Sequence, residues 1–143
     1  MLDGHFEGKV FVLPVRIYFE DTDLAGVVYH ANYLRYMERA RSEFFRHAGV
    51  RVSCMDNPEP AAWAVRKLQI EYLKPGRIDD IVEVRTSAHS LTGVRLTADQ
   101  MITCRGDVLT RGMVEACIVT RTDRPRRIPA EVRDKLLPFL CET

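Results

Sequence analysis

No stretch of this sequence approaches the ~18 consecutive apolar residues of a membrane-spanning helix, and the N-terminal Met1-Leu2-Asp3-Gly4-His5 lacks a basic region followed by an apolar one. The expected location is the cytoplasm, with no membrane span. An excess of charge of one sign is missing as well. The 21 lysines and arginines against 20 aspartates and glutamates leave a net charge of +1, which argues against a nucleic-acid binder relying on bulk charge. Any partner is recognised locally. The four cysteines, Cys54, Cys104, Cys117 and Cys141, form no C-x-x-C pair, so neither a zinc site nor a thiol redox motif is indicated. They read as reduced residues with packing or surface roles. Internal repeats, low-complexity tracts and linkers are absent too. The 143 residues are therefore expected to form one domain, 1–143, and a chain of that length buries roughly two-thirds of its unfolded surface without needing disulfides.

What is present concentrates between residues 20 and 49. Asp21 and Asp23 sit in a polar turn after a β-like run, and Gly26 follows just before Val27-Val28-Tyr29-His30. From Tyr33 the apolar positions Tyr33, Tyr36, Met37, Ala40, Phe44 and Ala48 recur at helical spacing. The other face carries Arg35, Glu38, Arg39, Arg41, Glu43 and Arg46, with Arg39 and Glu43 placed to pair four residues apart. This predicts an amphipathic helix over 31–48, stopped by Gly49. Its first N–H groups have no partner within the helix and carry the positive end of the macrodipole. Such an end polarises a carbonyl and holds an oxyanion. Aimed at a thioester, with Asp23 to attack it or to activate water, it makes an acyl-transfer hydrolase without a serine or cysteine nucleophile. The plainer reading is that both aspartates only cap turn amides.

Around this stretch the period is that of strands. One is predicted from Val10 to Phe19, at an edge or a bulge because Pro14 cannot donate to a ladder. Residues 50 to 61, broken by Pro58 and Pro60, read as a loop. Alternation then marks a strand from Ala62, with Leu68, Ile70 and Tyr72 facing one way, ended by Lys74-Pro75-Gly76. Further strands are expected at 80–90 (Val82, Val84, Thr86, Ala88 inward), 94–104 (Val94, Leu96, Ala98) and about 108–121 (Val114, Ala116, Ile118). Four consecutive strands with short turns imply an antiparallel meander whose apolar face needs cover, and the 31–48 helix is the element available. A short helix from about Pro129 places Val132, Leu136 and Leu140 on one face, with its end unsettled by Pro138.

Asp21-Thr22-Asp23, Gly26-Val27-Val28-Tyr29-His30 and Asn32-Tyr33, followed by the helix, resemble the signature of hotdog-fold thioesterases of the 4-hydroxybenzoyl-CoA thioesterase type. Within them the chain is most similar to the Tol–Pal-associated acyl-CoA thioesterase branch, which has a histidine where the hydroxybenzoyl enzymes have an aromatic residue. The likeness extends through Ile70-Glu71-Tyr72-Leu73-Lys74-Pro75-Gly76 to Arg124-Pro125-Arg126-Arg127-Ile128-Pro129. It implies an α+β hotdog fold, a curved antiparallel sheet wrapped around one long central helix. It also implies hydrolysis of acyl-CoA or acyl carrier protein thioesters with no metal or separate cofactor, coenzyme A being part of the substrate. A homo-oligomer is implied too, dimers pairing their sheets edge to edge and often forming tetramers, with sites at subunit boundaries.

Carried onto this sequence, the resemblance makes Asp23 the catalytic carboxylate, nucleophile or general base, and Asp21 the turn-former. His30 is implied to assist as proton carrier or orienter of the thioester, its backbone N–H being a separate oxyanion donor. Gly26, Val27, Tyr29 and Asn32 are placed at the substrate or its loop. Glu38 and Glu43 draw notice because other hotdog enzymes use a helix carboxylate, but beside Arg39 and Arg41 they read as solvated or interface residues. Arg124, Arg126 and Arg127 fit either coenzyme A phosphates or a solvated tail. His5-Phe6-Glu7-Gly8 resembles a dehydratase loop but leads into a strand. Two rivals stand beside the hydrolase. One is a hydratase or dehydratase, for which His30 with Glu43 is a poor pair. The other is a non-catalytic scaffold binding acyl carrier protein or lipid-synthesis enzymes.

Overall fold

Helix α1, His30–Ala48, has 19 residues in the computed structural model, which describes residues 3–51 and 61–141. Its buried stripe is Tyr33, Tyr36, Met37, Ala40 and Phe44, as the helical spacing predicts, with Phe45 buried in addition and the predicted Ala48 only partly so. Gly49 ends it at φ 83°, and the Val50 N–H reaches back to the Phe45 carbonyl at 2.8 Å, a left-handed closure that glycine adopts without strain. The charged face differs from expectation at two places. Glu43 pairs with Arg46 and faces His47 Nδ1 at 3.8 Å, not Arg39, since both partners lie on the turn following it. Arg41 turns under the helix and donates to Gln100 Oε1 at 3.0 Å, because Gln100 offers a buried acceptor where the strand pattern put only apolar neighbours.

The strands are β1 (His5–Glu7), β2 (Val10–Arg16), β3 (Ala61–Tyr72), β4 (Ile81–Leu91), β5 (Arg95–Cys104), β6 (Asp107–Thr120) and β7 (Pro125–Arg126). They form one antiparallel sheet ordered β1-β2-β4-β5-β6-β3, with β7 on β6. The sheet curves around α1, and its inward face is set by strict alternation. Val82, Val84, Thr86 and Ala88 are buried on β4, Leu96, Ala98, Gln100 and Ile102 on β5, and Val114, Ala116 and Ile118 on β6.

The expected four-strand meander is corrected by this order. Only β4, β5 and β6 form a meander, while β3 lies beyond β6 at the far edge. The chain segment 73–80 between β3 and β4 is too long for a tight hairpin and crosses the start of α1, where the Val28 N–H bonds the Gly76 carbonyl at 2.9 Å. Pro14 sits where β2 has no β1 partner, since β1 reaches only as far as Val12, so its missing N–H costs no ladder bond. Within β3 the register shifts at Arg66. Trp63 and Ile70 both pack on the core although an odd number of residues, 70 − 63 = 7, separates them. A regular strand would put them on opposite faces, and the bulge restores the parity. Of the predicted inward set Ile70 packs on the core, and half-exposed Tyr72 turns its ring to Tyr33 of α1 at 5.7 Å. Leu68 stays exposed on an edge that nothing among the described residues covers.

Helix α2, Ala130–Leu136, passes into a 3-10 turn over Leu137–Phe139 that contains Pro138. Phe139 stacks on Phe6 at 4.2 Å, and Phe6 meets Phe44 edge-on at 5.2 Å, which ties both ends of the described chain to α1. The predicted 50–61 loop lies mostly outside the described residues, as does Cys54; Ala61 already belongs to β3.

Candidate active site

The approach to α1 is held by backbone bonds that the two aspartates organise. A 3-10 turn over Phe19–Asp21 lets Asp21 Oδ2 accept the Tyr18 N–H at 2.9 Å. The Asp21 carbonyl then accepts both the Tyr29 N–H and Asn32 Nδ2, each at 2.9 Å. Asn32 is thus engaged with the loop rather than pointing free. Asp23 closes the next turn. Its N–H donates to the Val27 carbonyl at 2.9 Å, its carbonyl accepts the Gly26 N–H at 3.0 Å, and its Oδ1 accepts the Ala25 N–H at 2.8 Å. The second carboxylate oxygen has no partner among the described residues, and the side chain is exposed.

Gly26 has φ 77°, and a Cβ added there would meet nothing within 4 Å. The backbone conformation, not space, is therefore what asks for glycine. Val27 bridges Arg77, and buried Val28 is bonded to Gly76, so the Asp23 turn is stitched to the β3–β4 connection. Gly76 has a steric reason of its own: a Cβ would lie 2.9 Å from Ile17 Cδ1. Its N–H donates to the Tyr33 hydroxyl at 2.9 Å.

His30 opens the helix. Its exposed ring lies 4.4 Å from that of Tyr29 and 6.1 Å from that of Tyr72, and its carbonyl accepts the Tyr72 hydroxyl at 3.2 Å. Tyr29 is half exposed and gives no side-chain cap. With the Tyr29 and Asn32 amides spent on Asp21 and Tyr29 carbonyls, the His30 and Ala31 amides are the first-turn donors without an acceptor among the described residues. No acidic residue occupies the helix's first turn, so its positive end is not neutralised from within.

The structure therefore brings Asp23, Gly26, Val27, Tyr29, His30 and Asn32 to one end of α1, with Asn32 and Val27 serving the loop. Sequence reasoning missed Tyr33, Tyr72 and Gly76 as parts of this end, since the tyrosines read as apolar face members although their polar tips need partners. Burial raises the Tyr33 and Tyr72 phenols above the ordinary range. It raises Tyr36 further, with the Asp21 carboxylate adding to the effect. All three stay neutral at physiological pH. Among the described residues no three histidine, cysteine or carboxylate side chains gather in a way that would hold a metal ion.

The sequence matches the model of the thioesterase superfamily over residues 25–111. It is 37% identical over 125 residues to the acyl-CoA thioester hydrolase YbgC of Escherichia coli, covering 86% of this chain and 92% of that one. To the acyl-CoA thioesterase YbgC of Haemophilus influenzae it is 34% identical over 134 residues, covering 93% and 95%. The crystal structure of a probable thioesterase from Bartonella henselae superposes with a TM-score of 0.79 at 32% identity, over 88% of this chain and 99% of that one. A 1,4-dihydroxy-2-naphthoyl-CoA thioesterase from Synechocystis, at 17% identity over 90% and 96% of the two chains, shares the fold with a TM-score of 0.78. A helix gripped by a curved antiparallel sheet, a family match over more than half the chain and these relatives agree: the chain is a hotdog-fold member of the thioesterase superfamily.

Proposed function

We propose that this chain hydrolyses acyl-CoA thioesters to a free acid and a thiol, coenzyme A being part of the substrate. The observation that carries the reading is the unengaged Asp23 carboxylate oxygen at the same end of α1 as the free His30 and Ala31 amides. The names of the Escherichia coli and Haemophilus influenzae relatives support the choice of thioester. The thioester carbonyl oxygen accepts from the helix-end amides, which stabilise the oxyanion as it forms; one such donor is typically worth ~3 kcal/mol. Asp23 either attacks the carbonyl carbon, giving an anhydride that water then cleaves, or takes a proton from an attacking water. The C–S bond breaks as the oxyanion collapses, and the His30 ring delivers a proton to the leaving thiolate. Exposed Tyr29 and Tyr72 flank this position and offer apolar surface to the acyl or pantetheine arm.

A hydratase on the same fold fits less well. Glu43 lies 43 − 30 = 13 residues beyond His30 on α1, about 20 Å at the helical rise per residue, and it is already paired with Arg46. The reading includes a homodimer in which β3 edges meet, because Val65, Leu68 and Tyr72 are exposed along that edge and uncovered edges favour pairing. It also retains the cytoplasmic location expected from the sequence; cell fractionation tests it. The activity is tested by thiol release from a panel of acyl-CoAs, short to long aliphatic and hydroxybenzoyl. Turnover on at least one member is expected. Binding without turnover on any of them, or on carrier-protein thioesters, would favour the scaffold instead.

A further inference from the structure

Beneath the C-terminal half of α1 lies a cavity of about 260 Å3 whose walls include none of the residues of the Asp23–Asn32 turn. Phe45, Trp63, Leu96, Ala98 and Val114 make most of it apolar, and Arg41 brings a charged group to the same space. At ~30 Å3 for a water-sized group, it has room for about eight or nine non-hydrogen atoms.

Arg41 brings donors to this cavity beyond the one that is engaged. Gln100 is fixed because its amide nitrogen donates to the Met37 carbonyl and to Thr86 Oγ1, each at 2.9 Å. Its oxygen is thereby turned to Arg41 Nη1 at 3.0 Å. That one bond is the only one Arg41 makes among the described residues, although a guanidinium has five N–H donors. Arg41 has no ion pair among the described residues either. Glu38, one turn earlier, also lines the cavity and favours the cation electrostatically without pairing with it. Partial burial lowers the Arg41 pKa from its ordinary value, the mark of a cation in poor solvent. Buried donors are nearly always satisfied, and a desolvated cation is stabilised by an anion.

We infer that this cavity binds a small apolar carboxylate, a straight-chain or aromatic acid of about eight or nine non-hydrogen atoms, with its carboxylate on Arg41 and its hydrocarbon among Phe45, Leu96 and Val114. The guanidinium supplies a charge-assisted bond. Glu38 disfavours a larger negative charge at the mouth. The inference does not depend on the hydrolytic reading, since no residue assigned to hydrolysis lines the cavity.

Trp63 is the one tryptophan of the chain, so its fluorescence reports occupancy directly. The experiment titrates the full chain with heptanoate, and with heptanol and heptylamine as controls of equal length. A saturable change with heptanoate is expected, at least tenfold tighter than with either control. Arg41→Gln should remove that preference while leaving heptanol binding unchanged, and Ala98→Leu, which narrows the cavity, should weaken all three. The Asp23→Asn protein should bind heptanoate as the wild type does. No saturable change in the wild type, or heptanol bound as tightly as heptanoate, overturns the inference, and both are read on the unaltered protein. Unchanged heptanoate binding by a folded Arg41→Gln overturns it as well.

Discussion

Asp23 divides one carboxylate between two duties. Oδ1 holds the Ala25 amide and shapes the turn, while the other oxygen faces solvent beside the start of α1. The sequence left the choice between a turn-former and a catalyst open. Both readings describe the same side chain, and local pattern cannot separate them because each needs only a short acidic residue before a helix. Asp21 was legible as the structural member of the pair, and its bonds to Tyr18, Tyr29 and Asn32 account for that. Arg41 was not legible. Helical spacing put it on the charged face, and only the buried Gln100 across the sheet draws it under. At this scale Gly26 offers a test. Alanine there must hold φ 77°, a left-handed conformation that costs about 1–2 kcal/mol in a residue with a Cβ. Gly26→Ala is therefore expected to reduce thiol release clearly, because the turn carrying Asp23 relaxes. Its melting temperature should fall by only a few degrees, because the turn is exposed; thermal melts with matched assays check both.

Among the elements, α1 and β4 to β6 were readable because each buries one face completely, which writes a clean period into the sequence. β3 was readable as a strand, from Ala62 in the sequence against Ala61–Tyr72 in the structure, but its bulge and its place at an edge were not. Alternation tells which way a side chain faces but not which strand lies alongside, so the place of β3 next to β6 had no sequence signal. The end of α1 is testable in the same way as the Asp23 turn. Gly49→Ala forces a Cβ residue into φ 83°, and an unfolding free energy lower by about 1 kcal/mol is expected in denaturant titrations. The tie of β1 to β4 depends on pH. Glu7 bonds Arg85 at 2.9 Å and His5 at 3.1 Å, and these bonds, Arg85 first, hold its carboxyl below its ordinary 4.5. The unfolded chain therefore takes up the proton first as the pH drops. The stabilisation is present above that ordinary value and is lost as the pH falls through the folded one. Glu7→Gln should flatten this part of the acid unfolding curve and leave stability above pH 6 nearly independent of pH at this position, as melts between pH 3 and 7 would show.

For the whole molecule, the sheet order, the Phe6, Phe44 and Phe139 contacts and the crossing segment 73–80 fix where α1 begins, and with it the proposed site. The free edge of β3 makes the proposed dimer testable. Sedimentation should give a dimer or a higher even assembly, and Leu68→Lys, which places a charge on that edge, should shift it toward monomer. A monomeric wild type would remove the dimer from the account. The central claim is chemical, and Asp23→Asn tests it most directly, because asparagine keeps a side-chain oxygen for the Ala25 amide and removes only the charge. The measurement is single-turnover thiol release from the best acyl-CoA of the panel, for wild type and Asp23→Asn side by side. The account predicts a fall of ~100-fold or more, a loss of ~2.7 kcal/mol of transition-state stabilisation, with the melting temperature nearly unchanged. Release at the wild-type rate by a folded Asp23→Asn would contradict it and move the chemistry away from this carboxylate.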